Sequence, residues 1–508
     1  MRAKIGFNMK NKNSVQALRA LLVLALAILA CNRLIPPPPI SPQPPTTRSA
    51  ATLISAPQNP SAGAAGIGDS LYPNFGNGGY DALRYTLDIT VNDVATSDLT
   101  AVTTIEAKAT QNLSGFNLDF IGFKISAVAV NGVAAKFSRN GQELTITPSA
   151  PLATQESFTV KIAYSGSPEN MQSASLSMQM GWTTVGDRSY VMGEPDGAAT
   201  YYPVNDHPLD KALYKFRVTV PKPYAVAANG VLTQTTDNGA TATFVFAIRD
   251  PMASYLATIN VDKFVVETAT AQIGIPIRNY YSTDLPKEIR APFARQDEML
   301  TYFSKTYGMY PFETYGAMVM NTEFGTALEN QTMSIFGTDM IDVQDVEGTE
   351  LTVAHELSHQ WFGDSVSVAD WSDIWLNEGF ATYSEGLWIE RLHGRAALDE
   401  WVKSQYAEIA GYPEYFLPPG NPSANDLFNL GIYIRGSLTL HALRLEVGDE
   451  AFFKIIQTYY DRYKGGNATT ADFIAVAEEV GGKDLKEFFN GWLHEKKMPS
   501  IPALGLGK

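Results

Sequence analysis

Two histidines one helical turn apart, with a glutamate beside the first and a second glutamate a short segment later, restrict this chain more than anything else in it. In Val353-Ala354-His355-Glu356-Leu357-Ser358-His359 the histidines stand at i and i+4. On a helix these positions share one face, about 6 Å apart along the axis, so both imidazoles can converge on one ion. The helical pattern runs from about Thr349 to Phe362, with Gly363 placed to end it. Downstream, Leu376, Phe380, Tyr383 and Leu387 recur at helical spacing around Glu378, and Gly394 can close that segment. A second helix can therefore bring the Glu378 carboxylate to the same ion. Two imidazoles and one carboxylate leave a fourth position open, the ligand count of a catalytic zinc; structural sites are usually closed by four. Glu356 cannot easily be a third ligand and suits a general base.

The run from His355 to Asp364, HELSHQWFGD, followed by WLNEGFATY, resembles the aminopeptidase N family of gluzincins, which includes leukotriene hydrolase. Residues Phe324 to Asn330 are similar to that family's G-A-M-E-N element, an edge segment that holds the substrate backbone, here through Ala327 and Leu328, and whose acid, here Glu329, grips a free α-amine. Met192-Gly193-Glu194-Pro195 stands where the family presents a second amine-binding acid, which points to Glu194. Ile432-Tyr433-Ile434-Arg435-Gly436 is similar to the Y-x-K-G segment, whose tyrosine, here Tyr433, hydrogen-bonds the oxyanion. Thr326-Ala327-Leu328 in place of Gly-Ala-Met, and Arg435 in place of Lys, are departures that remove no reacting group.

The resemblance implies one Zn2+ per chain, held by His355, His359 and Glu378, and removal of N-terminal residues from peptides with a free N-terminus. It implies an α+β architecture: an N-terminal antiparallel β saddle or sandwich domain, then a mainly helical thermolysin-like catalytic domain. Many relatives continue into further β and helical domains, so carboxyl-end recognition does not carry over. In this scheme Glu356 takes a proton from the attacking water and passes it to the leaving amine, and the amine acids exclude internal peptides by being left unpaired. An endopeptidase or epoxide hydrolase on the same scaffold, and a lipid-anchored peptide-binding protein without turnover, are the competing possibilities.

The N-terminus gives an address. Residues 1–30 carry Arg2, Lys4, Lys10, Lys12 and Arg19, no acid, and then an apolar run from Ala20 to Ala30, the pattern of a signal peptide too short for a stable span. Ile28-Leu29-Ala30-Cys31 resembles a bacterial lipobox, which makes Cys31, the single cysteine, a lipidation site and the protein an exported lipoprotein of the cell envelope. Losing the leader removes five positive charges and takes the net charge from −15 to −20. So acidic a chain does not suit nucleic acid or electrostatic adhesion to anionic lipid, and membrane attachment would rest on the anchor.

The rest divides by period. Residues 31–66, headed by Pro36 to Pro39, read as a stiff tether. Residues 67–275 read as the β domain: Leu83, Tyr85, Leu87, Ile89 and Val91 alternate with polar residues, Phe158 to Tyr164 repeats the pattern, and Asn-Gly pairs at 131, 140, 229 and 238 mark hairpins. Residues 276–500 read as the catalytic domain, with helices over Arg290 to Tyr307, the two metal helices and a run from Ile434 to Trp492; 501–508 is a tail. Thr469 with Asp472 forms a capping box. His207, alone in a Pro-bounded loop, reads as structural and not as a ligand.

Overall fold

Alternation becomes strand because every second side chain can face one apolar layer. In the computed structural model, which describes residues 59–173 and 175–507, Tyr80–Asp93 and Ser157–Gly166 lie in one eight-stranded sheet. Tyr85, Leu87, Ile89 and Val91 are buried from the first, and Phe158, Val160, Ile162 and Tyr164 from the second. Leu83 departs from the expected series. A bulge between Ala82 and Arg84 leaves it as the extra, unpaired residue, and it is 42% exposed.

The sheet runs in the order Val231–Asp237, Thr241–Ala247, Leu213–Pro221, Tyr80–Asp93, Asp98–Ala109, Ser157–Gly166, Lys124–Val130, Val133–Ala134. Among the described residues its only parallel pair is Leu213–Pro221 with Tyr80–Asp93. A four-stranded sheet built on Leu113–Asp119 shares its core, Phe116 meeting Tyr80 and Phe158 edge-on or tilted. At Asn131-Gly132 both residues have positive φ, 51° and 78°, as a two-residue primed turn demands. Asn229-Gly230 is no hairpin. It joins strands of different sheets, with the Asn229 amide donating to the carbonyls of Leu256 and Gln331.

A third sheet, order Met171–Gln172, Gln179–Val185, Arg188–Met192, Ile259–Asp262, Ala225–Ala228, ends its middle strand two residues before Glu194. A fourth, mixed sheet has the order Phe264–Thr270, Pro276–Ser282, Ala317–Met320, Ser334–Gly337, Ala327–Leu328. The boundary expected at 275/276 therefore falls inside a hairpin of this sheet.

The described residues hold eight α-helices: α1 Gln296–Tyr307, α2 Val346–Ser358, α3 Trp375–His393, α4 Arg395–Gly411, α5 Gly436–Val447, α6 Asp449–Tyr463, α7 Thr470–Gly481 and α8 Lys486–Leu493. The helix expected from Arg290 is interrupted: Lys287–Phe293, with Pro292 inside it, is a separate 3-10 segment, because proline cannot continue the α hydrogen-bond ladder. α7 opens on the expected Thr469/Asp472 capping box and closes on Gly482 in the left-handed region. None of these helices is long and apolar enough to cross a membrane.

The leader, Cys31 and most of the tether lie outside the described residues. The tether's expected end at residue 66 is too late, since Ser61–Ala62 already pairs with Leu113 and Gly115. The expected tail folds back: Ile501 is buried, and Leu504 and Leu506 pack beside it.

Candidate metal centre

α2 begins with the Asp345 side chain accepting from the Gly348 amide, and it delivers His355, Glu356 and, at its C-cap, His359. α3 delivers Glu378 from its first turn. Trp361, Phe362 and Trp375, buried around the two helices, hold them together.

The histidine nitrogens are sorted by what holds the far side of each ring. His355 Nδ1 lies 2.9 Å from Glu385 Oε1, and His359 Nδ1 lies 3.1 Å from the Phe362 carbonyl. Both Nε2 atoms therefore face Glu378, whose Oε2 lies 3.2 Å from that of His355 and 3.5 Å from that of His359. Tetrahedral zinc with bonds near 2.0–2.1 Å separates its ligand atoms by about 3.3 Å. Both carboxylate–imidazole distances are thus close to that spacing, and all three donors lie within 4.8 Å of one another. Burial alone would raise the Glu378 carboxyl; the two imidazoles override it and hold it down at about 2. Glu385, absent from the expected set, stands seven residues after Glu378, two turns along the same face of α3.

Glu356 is 6% exposed, and burial pushes its carboxyl up to about 8 against the pull of both histidines. Tyr433 sits in a π-helical turn, Gly431–Arg435, its ring 6.2 Å from that of His355 and tilted by only 22°. Burial and the charges of Glu378, Glu194, Glu329 and Glu356 all raise its hydroxyl, which stays a protonated donor.

Glu194 and Glu329 meet here although they are far apart in sequence. Each can place a carboxylate oxygen within 4.8 Å of the other's and of one from Glu378. Both are nearly fully buried, and among the described residues Oε1 of each has no hydrogen-bond partner. Burial raises both carboxyls, Glu194 further because Glu329 and Glu378 lie beside it. Two buried, underpaired acids side by side are costly unless a cation sits between them. Ala327–Leu328 is the edge strand of the mixed sheet, paired with Ser334–Gly337 on one side only, and so can take an extended chain on the other.

Two further residues were given no role from the sequence. Asp364 is fully buried, and neither carboxylate oxygen is hydrogen-bonded among the described residues. Lys211, from the β part, donates to the carbonyls of Asp364 and Ser365 at 2.9 and 3.0 Å, clamping the turn that ends α2. His207 is buried, its Nε2 3.0 Å from Asp69 and its Nδ1 accepting from the Leu209 amide, as a structural histidine would be.

Residues 292–492 match the Peptidase family M1 domain and residues 81–256 the Peptidase M1 N-terminal domain. A crystal structure of an M1 zinc metallopeptidase from Deinococcus radiodurans superimposes with a TM-score of 0.80 at 31% identity, covering 86% of this chain and 98% of that one. A mutant of that enzyme, bound to a Tyr-Ser-Ala substrate, matches with a TM-score of 0.79 at 31% identity, over 86% of this chain and 99% of the other. Aminopeptidase N of Streptomyces lividans is 28% identical over 326 residues, 60% of this chain and 38% of that protein. Human glutamyl aminopeptidase is 26% identical over 332 residues, 62% of this chain and 34% of its own length. The match thus spans little more than a third of these longer relatives.

Proposed function

The chain belongs to peptidase family M1, and from that premise we propose that it is a zinc aminopeptidase that removes single residues from the N-termini of peptides. The donor set fits zinc, which when bound supplies Lewis acidity and a water of lowered pKa. Glu356, beside the ligands and outside the ligand triangle, takes the proton from the attacking water and returns it to the departing amine. Tyr433 donates its hydroxyl to the oxygen that becomes negative as the carbonyl is attacked. The main chain of Ala327 and Leu328 orients the peptide as an added strand. Glu194 and Glu329 hold the protonated N-terminus, which fixes the cut after the first residue.

The observation that carries this reading is the pair of buried acids with unpaired oxygens beside Glu378. A substrate ammonium relieves their repulsion; an internal peptide would bury them unpaired, a penalty of several kcal/mol. Leucine anilide and its N-acetylated twin separate an aminopeptidase from an endopeptidase. Wild type should cleave only the free-amine compound, and Glu329→Ala should lose about a hundredfold or more in kcat/KM on it. Equal cleavage of both compounds by wild type would make the enzyme an endopeptidase.

We further propose that Cys31 is lipidated and tethers the enzyme to the bacterial cell envelope, a reading supported by the leader and the Ile28-Leu29-Ala30-Cys31 motif alone. Cys31→Ser should move activity from the membrane fraction to the soluble fraction of expressing cells and abolish incorporation of labelled palmitate. Unchanged membrane retention without label would remove the anchor.

A further inference from the structure

Arg435 lies two residues beyond Tyr433, in the same π turn, and is 1% exposed. Its guanidinium is spent on main-chain carbonyls: Nε donates to Trp492 at 2.7 Å, and Nη2 to Gly491 at 2.9 Å and to Glu495. Gly491 and Trp492 belong to the last turn of α8, whose carbonyls lack helical partners and form the negative end of the helix dipole. A buried cation is costly. A planar fork that reaches three carbonyls at once fixes its own backbone in a way a single ammonium does not.

The next residue anchors the turn from the other side. A Cβ on Gly436 would lie 3.0 Å from Gly379 Cα, and one on Gly379 would lie 3.1 Å from Gly436 Cα, so the two backbones touch with no side chain between. Gly379 directly follows Glu378. The turn is therefore held between the C-terminal end of α8 and the backbone beside a metal ligand. π turns are rare and recur at functional sites, and this one leaves Tyr433 in the middle.

We propose that Arg435, with the Gly379–Gly436 contact, is a positioning residue that sets the Tyr433 hydroxyl against the metal ligands, a role that rests on Tyr433 being the oxyanion donor. The test uses the zinc-loaded full chain and leucine anilide, with Arg435→Met and Arg435→Lys each made with Tyr433 intact and in the Tyr433→Phe background. Tyr433→Phe alone should lower kcat about a hundredfold. Arg435→Met should lower kcat roughly ten- to a hundredfold, as a displacement of about 1 Å does, with KM and zinc content little changed. Arg435→Lys should recover part of the loss, and Arg435→Met should cost nothing more once Tyr433 is Phe. The same loss in both backgrounds, or none in either, would overturn the proposal. Should Arg435→Met not fold, Gly436→Ala pushes the turn away from Gly379 and is read the same way: a loss with Tyr433 present that vanishes in Tyr433→Phe. A Tyr433→Phe enzyme with full kcat would instead remove the oxyanion role itself, a failure distinct from that of the positioning idea.

Discussion

A histidine presents one ring nitrogen to a metal, and the group on its other nitrogen decides which. At His355 that group is the Glu385 carboxylate, 2.9 Å from Nδ1. A carboxylate there fixes the tautomer, locks the ring and makes Nε2 more basic, and losing such a partner typically costs ten- to a hundredfold in metal affinity. Glu385→Ala should weaken zinc binding by about that factor in competition against a chelator; unaltered affinity would mean that Glu385 only fills space. That His355, His359, Glu356 and Glu378 would come together was legible, because their spacing along two helices is that of a metal-ligand motif. Glu385 was hidden, because its role depends on which nitrogen of His355 faces inward, although its place seven residues after Glu378 was there to be noticed. Glu194 and Glu329 could be named only through resemblance. Nothing local tells that an acid on the β part and one just past an edge strand come together in the interior.

Between elements, helix α5 packs on α3 across a polar seam at His441. This residue is fully buried, its Nδ1 3.2 Å from the Tyr383 hydroxyl and its Nε2 without a partner among the described residues. Burial first, then the charges of Arg395 and Arg444, push its pKa down to about 4. Unfolded, it titrates near 6.5. The folded value is depressed, so the unfolded chain takes up a proton that the folded one refuses, and stability falls as pH drops from about 6.5 to about 4, by about 3 kcal/mol in all. In urea unfolding of metal-free protein, wild type should lose about 2 kcal/mol more between pH 7 and pH 5 than His441→Gln does. Equal losses would show that His441 accepts its proton while folded. Elements with strong local signals were readable: the capped α7, the Gly394 stop after α3, the alternating strands. The break at Pro292, the bulge at Leu83 and the π turn at Tyr433 were not. The first needed weight given to one residue inside a good pattern. The other two arise from packing against partners distant in sequence.

Across the molecule, the sheets and helices are joined by contacts no periodicity foretells. Asp69 takes the Trp371 amide at 2.8 Å and His207 at 3.0 Å, Ser70 bonds twice to Asp370, and the Tyr72 hydroxyl reaches the Ala424 carbonyl. The first residues of the expected β domain are thus stitched onto the residues that lead into α3 and Glu378. The order of a β-rich part and then a helical part was readable from the change of period. The placing of Phe264–Thr270 in the helical part's sheet was not, since a strand carries no mark of which sheet it joins. These contacts frame one cluster, two imidazoles and the Glu378 carboxylate beside Glu356, Glu194 and Glu329. The direct test is metal analysis coupled to turnover on purified full-length protein. One zinc per chain is expected, with leucine anilide hydrolysis abolished by chelation, restored by added Zn2+, and absent together with the metal in Glu378→Ala. Full turnover from protein free of metal would contradict the assignment of His355, His359 and Glu378.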